Sequence, residues 1–154
     1  MGRGALWAER GVQVVPVSGR RGRTRGRARA LQRIAELGED TPFLKSELGE
    51  ALTVEAGNIV TGPARRLFEK ALAEEPNHPT ASLYMALARE QDGNVEEALK
   101  RWRDLQSKRP EDARFQRLAA DSIARLEARV SSERAGTIAA LQEDKRQSMR
   151  EGMV

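Results

Sequence analysis

The sequence predicts an all-α protein built as a solenoid of paired helices, and three observations predict it. Pro42, Pro76 and Pro110 stand 34 residues apart, twice in succession. Each closes the same phrase: Ala30-x3-Ile34-x2-Leu37-x4-Pro42, then Ala64-x3-Phe68-x2-Ala71-x4-Pro76, then Ala98-x3-Trp102-x2-Leu105-x4-Pro110. The alanine lets a neighbouring helix approach, the large residue four later lies one turn along the same face, and proline stops the helix. Composition agrees: 32% of residues are charged and 4% are aromatic, which suits thin stacked helices better than a deep-cored sandwich.

A period of 34 with this phrase is the pattern of the tetratricopeptide repeat (TPR), whose helix pairs bury their apolar faces by stacking on neighbours. At 154 residues the chain has room for one domain. The absence of cysteine excludes disulfides, thiolate metal sites and cysteine nucleophiles. The net charge of +4 is unevenly spread: residues 1–30 hold eight Arg and one Glu, so residues 31–154 carry −3. The basic character therefore belongs to a tail and not to the folded body.

Residues 1–27 read as an Arg/Gly-rich disordered tail, because Gly-Arg alternation from Gly19 to Arg27 has no apolar periodicity to offset ordering entropy. Leu6-Trp7-Ala8 runs straight into Glu9 and Arg10 and so lacks the apolar run of a signal peptide. No stretch reaches the ~20 apolar residues of a spanning helix. The helical domain is expected over 28–130. Its first helix, Ala28 to Leu37, is half a repeat, ended by Gly38 and Pro42.

A second helix runs from Pro42 to Ala56, with Lys45-x2-Leu48-Gly49-x2-Leu52 in the slots where the repeat carries Trp-x2-Leu-Gly-x2-Tyr. A long turn, Gly57 to Pro63, leads to a partner helix ending near Glu74, and Pro63 suits a first helical position. Pro79 opens the next pair, with Ser82-x2-Met85-Ala86-x2-Arg89 in the same slots. Asp92-Gly93-Asn94 turns the chain into a helix over Val95–Lys108. A capping helix follows from Glu111 to Val130, apolar at Phe115, Leu118, Ala119, Ile123, Leu126 and Val130 and charged opposite. Residues 131–154 read as a linker over 131–136 and a short helix over 137–150. The repeat core is expected at Ala64, Phe68, Ala71, Met85, Ala86, Ala98, Trp102 and Leu105.

No catalytic residue, metal site or cofactor emerges. His78, the single histidine, lies in Pro76-Asn77-His78-Pro79 without the partners a metal needs, and reads as a loop or helix-start residue. Gly57 to Gly62 lacks a Walker lysine, and no G-x-S-x-G elbow accompanies the serines. Adjacent carboxylates such as Glu96-Glu97 point to different sides of a helix. The Arg-rich tail would attract nucleic acid or anionic lipid through a salt-dependent, sequence-blind attraction, but it lacks interleaved aromatics for base stacking. A solubilising segment explains it equally well.

What remains is surface. A TPR stack curves, and its first helices line a concave groove suited to a peptide. The residues expected there are Phe43, Ser46, Glu50 and Thr53 in the first unit, and Thr80, Leu83, Leu87, Glu90 and Gln91 in the second. An apolar centre with acidic edges calls for a helical partner with an apolar stripe and basic residues.

The stretch GNIVTGPARRLFEKALAEEPNHPTASLYMALAREQDGNVEEALKRWRDLQSKRP over 57–110 resembles the C-terminal TPR region of the c-type cytochrome biogenesis subunit of the system I (Ccm) machinery, the CycH-like apocytochrome c chaperones. Asp144-Lys145-Arg146-Gln147-Ser148-Met149 and Gly152-Met153-Val154 are similar to the segment closing alphaproteobacterial members, so the likeness covers about 40–154. Gly62-Pro63 departs from the family's usual helix start, and an Arg-rich stretch stands where members carry transmembrane helices. The resemblance implies a cofactor-free, non-enzymatic module on the periplasmic side of the inner membrane, reaching the membrane only through an anchor or partner. It would hold the C-terminal helix of apocytochrome c for subunits of the haem-ligation complex. The alternatives are a generic TPR scaffold for another peptide, and a polyanion or anionic-membrane binder working through residues 1–30.

Overall fold

The computed structural model describes residues 26–152, and the Arg/Gly-rich segment up to residue 25 lies outside the described residues. Within them are six helices and no strand: α1 (Arg27–Glu36), α2 (Pro42–Glu55), α3 (Gly62–Glu74), α4 (Pro79–Gln91), α5 (Val95–Lys108) and α6 (Ala113–Gly152). Each packs on the next, and α2 also reaches α4, so the helices stack as a TPR solenoid.

Local chemistry starts and stops these helices. Thr41 Oγ1 accepts from Leu44 N at 3.1 Å, Thr61 Oγ1 from Ala64 N at 3.4 Å and Asn94 Oδ1 from Glu97 N at 3.3 Å. Each satisfies an N–H that a helix start leaves without an intrahelical partner. Proline follows within the first two helical positions of α2, α3 and α4, where its missing N–H costs nothing. At the end of α2, Gly57 N donates to Val54 O (3.1 Å) and Asn58 N to Thr53 O (2.9 Å), a Schellman closure. Its counterpart after α4 runs from Gly93 N to Glu90 O and from Asn94 N to Arg89 O, both 3.0 Å. Gly57 and Gly93 hold φ of 72° and 78°, the left-handed conformation that this closure requires.

The core runs through α3, α4, α5 and the first part of α6. All eight residues read as repeat core are buried, with Phe68, Trp102 and all four alanines wholly inaccessible. Phe68 stacks on Tyr84 with ring centroids 5.0 Å apart and planes 6° apart. Gly49 makes room for this pair, since a Cβ there would stand 2.7 Å from the Phe68 ring. Helix α4 is buried on nearly every side, its covered residues running from Ala81 through Leu83–Ala88 to Glu90.

Two boundaries differ from expectation. The capping helix does not stop at Val130, and the linker over 131–136 is absent: α6 is continuous for 40 residues. Nothing in Ser131–Gly136 breaks a helix. There is no proline, Arg129 pairs with Glu133 one turn on at 2.9 Å, and Thr137 Oγ1 donates to Glu133 O. The lone Gly136 costs only ~1 kcal/mol, too little to end a helix supported on both sides. Phe115, Ala119, Ser122 and Leu126 are buried, whereas every residue from Ser131 to Gly152 is exposed. That overhang extends roughly 33 Å beyond the stack.

Candidate protein-binding surface

The residues expected to line a groove divide into two sets. Ser46, Glu50, Thr53, Leu83, Leu87 and Glu90 are at most 3% exposed. They form the same stripe on two successive first helices, and the structure uses it for packing instead of leaving it open. Ser46 Oγ meets His78 Nδ1 at 3.3 Å across the α2–α4 contact. Thr53 Oγ1 donates to Gly49 O at 2.8 Å. Glu50 lies 3.7 Å from the Arg27 guanidinium. Leu83 and Leu87 belong to the cluster that holds Phe115, Ala119 and Leu126. One turn past Leu87, Glu90 Oε1 accepts from Arg125 of α6 at 2.8 and 3.0 Å. A stripe shared by stacked helices is consumed by the stack, which the repeat pattern alone does not reveal.

Of the other three, Thr80 and Gln91 are half-buried. Gln91 pins the long turn, accepting from Val60 N at 2.9 Å and donating to Asn58 O at 2.8 Å. Phe43 is 66% exposed. It closes a short stretch in which Ile34 and Leu37 are also exposed, so three large apolar side chains face water at the α1–α2 corner. Clustered exposure of this kind marks interaction surfaces. Sequence reading assigned Ile34 and Leu37 to the repeat phrase. Their exposure follows because α1 packs on α2, and no described helix covers its other side.

Helices α1 and α2 with their link carry a modest surplus of acid: residues 27–55 contain six carboxylates against Arg27, Arg29, Arg33 and Lys45. Burial, and then the charge of Glu50, push the Glu47 carboxyl up, while Arg27 opposes the shift. Lys45, in the slot where the repeat usually carries Trp, is buried and bridges Asp40 and Glu74, and these bonds raise its pKa. Lys45 is thereby neutralised inside the stack. Glu47 and Glu50 are likewise met by Arg27, and Glu36 by Arg33, so most acids of this corner are paired within the chain.

Of the two readings of His78, the helix start is the one observed: it is the buried N-cap of α4, where its Nδ1 accepts from Ala81 N at 3.4 Å. Among the described residues no group of three or more His, Asp or Glu is placed to hold a metal. No described helix is long and apolar enough to cross a membrane.

The Tetratricopeptide repeat family matches residues 63–121. The chain is 36% identical over 113 residues to the cytochrome c-type biogenesis protein CycH of Bradyrhizobium diazoefficiens, covering 73% of this chain and 31% of that protein. It is 36% identical over 115 residues to the CycH of Rhizobium meliloti, covering 75% and 30%. The chain thus spans about three tenths of the length of the curated relatives it matches.

Proposed function

Since the chain is a CycH-like TPR protein of c-type cytochrome biogenesis, we propose that it is a non-enzymatic holder of apocytochrome c. It binds a helix near that polypeptide's C-terminus and keeps the helix soluble and oriented for haem ligation. The observation that supports this reading best is the α1–α2 corner, where Ile34, Leu37 and Phe43 lie exposed amid a modest surplus of carboxylates. An amphipathic helix with basic flanks would bury its apolar stripe on the three side chains and set its cations against that surplus. The six inaccessible stripe residues then serve the partner indirectly, by holding α2 and α4 in place.

The proposed place of action is the periplasmic side of the inner membrane, with the haem-ligation complex as recipient. Nucleic acid fits this body poorly, because residues 31–154 carry a net charge of −3. The test is a titration with synthetic helices from cytochrome c C-termini, each paired with a scrambled version of equal composition. The reading expects the native order to bind at least ~10-fold tighter, a difference of about 1.4 kcal/mol. Equal binding of both would reduce the interaction to charge alone and defeat the proposal.

A further inference from the structure

The phrase that marks the inner face of a repeat's second helix occurs three times, and two of the three copies are covered. Counted in steps of 34, Ala30, Ala64 and Ala98 are equivalent, as are Ile34, Phe68 and Trp102, and Leu37, Ala71 and Leu105. In α3 and α5 these positions are sealed: Ala64, Phe68, Ala71, Ala98 and Trp102 are wholly inaccessible and Leu105 is 4% exposed. In α1 the same positions lie open, with Ala30 exposed, Ile34 at 42% and Leu37 at 73%. What differs is the neighbour before each helix. α2 packs on α3 and α4 packs on α5, while among the described residues no helix precedes α1.

The two covered copies show what a covering helix must carry. Where a first helix crosses the large residue of the phrase, it presents a small one. A Cβ on Gly49 would stand 2.7 Å from the Phe68 ring, and Ala86, in the same position of α4, is wholly buried. The residue just before is large and apolar in both helices, Leu48 and Met85. Leu48 lines a cavity together with Leu67 of α3, so it looks toward the second helix. A large–small pair lets the two backbones approach while the large side chain fills the space beside the crossing.

We infer that the open phrase of α1 is completed by a helix of a partner polypeptide, which packs antiparallel to α1 as a repeat's first helix does. That helix sets a glycine or alanine over Ile34 and carries a large apolar residue directly before it. The inference rests on the reading of the α1–α2 corner as a helix-binding surface, and it adds the register and the residue that select the helix. The seat continues an interface that the chain already builds twice, α2 on α3 and α4 on α5. Shape at the crossing then sets specificity. A bulky residue over Ile34 holds the backbones apart and forfeits contact along the crossing.

The test uses the whole chain and a blocked, side-chain-stapled peptide with the sequence of α2, PFLKSELGEALTVE, itself a first helix of this fold. A second probe differs only by Gly49→Leu. Binding is followed through the backbone amide shifts of Ile34 and Leu37 in two-dimensional NMR. The glycine probe binds and moves both, and the leucine probe binds ~10-fold or more weakly. Ile34→Ala opens space beneath the crossing, so the leucine probe gains, the glycine probe loses and the preference falls to near parity. Ile34 is exposed, so this variant folds as the parent does. Equal binding of both probes to the parent, an unchanged preference in Ile34→Ala, or shifts confined to other helices overturns the inference. Absence of binding also overturns it, leaving the face to residues 1–25 of the same chain or to a different partner. Failure of the wider reading shows differently. A cytochrome c helix that outbinds its scrambled version yet is indifferent to Ile34→Ala overturns the inference alone. Equal binding of that helix and its scramble, with the glycine probe still preferred, defeats the reading and supports the inference.

Discussion

The first helix pair, α2–α3, and the second, α4–α5, share one skeleton and fill it with different material. Gly49 and Ala86 occupy the same position, as do Phe68 and Trp102, and all four are buried. On the stripe facing the next first helix, the first unit carries Ser46, Glu50 and Thr53, whereas the second carries Leu83, Leu87 and Glu90. Both stripes are out of solvent. The polar stripe is tolerated because its groups find partners in His78, Arg27 and Gly49 O. The spacer thus dictates where helices stand, and the stripe chemistry decides how strongly they adhere.

That contrast can be broken most severely at the large slots. Trp102→Ala should cost ~3–5 kcal/mol, much of a total stability near ~5–15, and urea unfolding would read it directly. Phe68→Ala should fall in the same range, because Phe68 also stacks on Tyr84. A loss under ~1 kcal/mol at either would mean that the slot is not what binds the units together. Next comes Gly49→Ala, whose new Cβ must push the Phe68 ring and should cost ~1–3 kcal/mol. The matching change Ala86→Gly should cost only ~1. Equal losses would erase the asymmetry between the repeats.

Smaller effects sharpen the comparison at the stripe. Burial disfavours the imidazolium of His78; Glu75 opposes that shift and Arg109 adds to it. The folded ring therefore holds its proton less tightly than the unfolded ring, whose pKa is ~6.5. Stability from the neutral cap is fully present above that value and declines as pH falls through it toward the lower folded pKa. His78→Asn keeps a capping oxygen and removes the titration. The stability difference between parent and variant should therefore shift against the parent between about pH 7.5 and 5 in paired melts. A pH-independent difference would remove His78 as the cause. Least of all, deleting residues 131–152 should change the unfolding free energy by less than ~0.5 kcal/mol, because none of them is buried.

The prolines, caps and glycines carried most of the fold in plain view, since each acts within a few residues of itself. Pro63, Asn94 and Gly93 mark helix ends through their own backbone limits, and the Ala-large-apolar phrase marks the inner face of α3 and α5. The end of α6 was hidden for the opposite reason. Ser131–Gly136 looks like a linker, yet it contains nothing that stops a helix already under way. The candidate binding surface was only partly legible. Phe43 is exposed as the repeat pattern implies, but the inaccessibility of Ser46, Glu50, Leu83 and Leu87 depends on contacts between distant segments. Periodicity places a residue on a face, and only the stack decides whether that face meets water.

Capture of another polypeptide at the α1–α2 corner is the claim on which the functional account rests. It is tested most directly by fluorescence anisotropy of a labelled cytochrome c C-terminal helix, titrated with the parent chain and with a Leu37→Ser/Phe43→Ser variant. Both positions are exposed, so the variant should fold and melt like the parent. The account predicts saturable binding to the parent and a loss of ~10-fold or more in the variant. Unchanged affinity in a normally folded variant would contradict it.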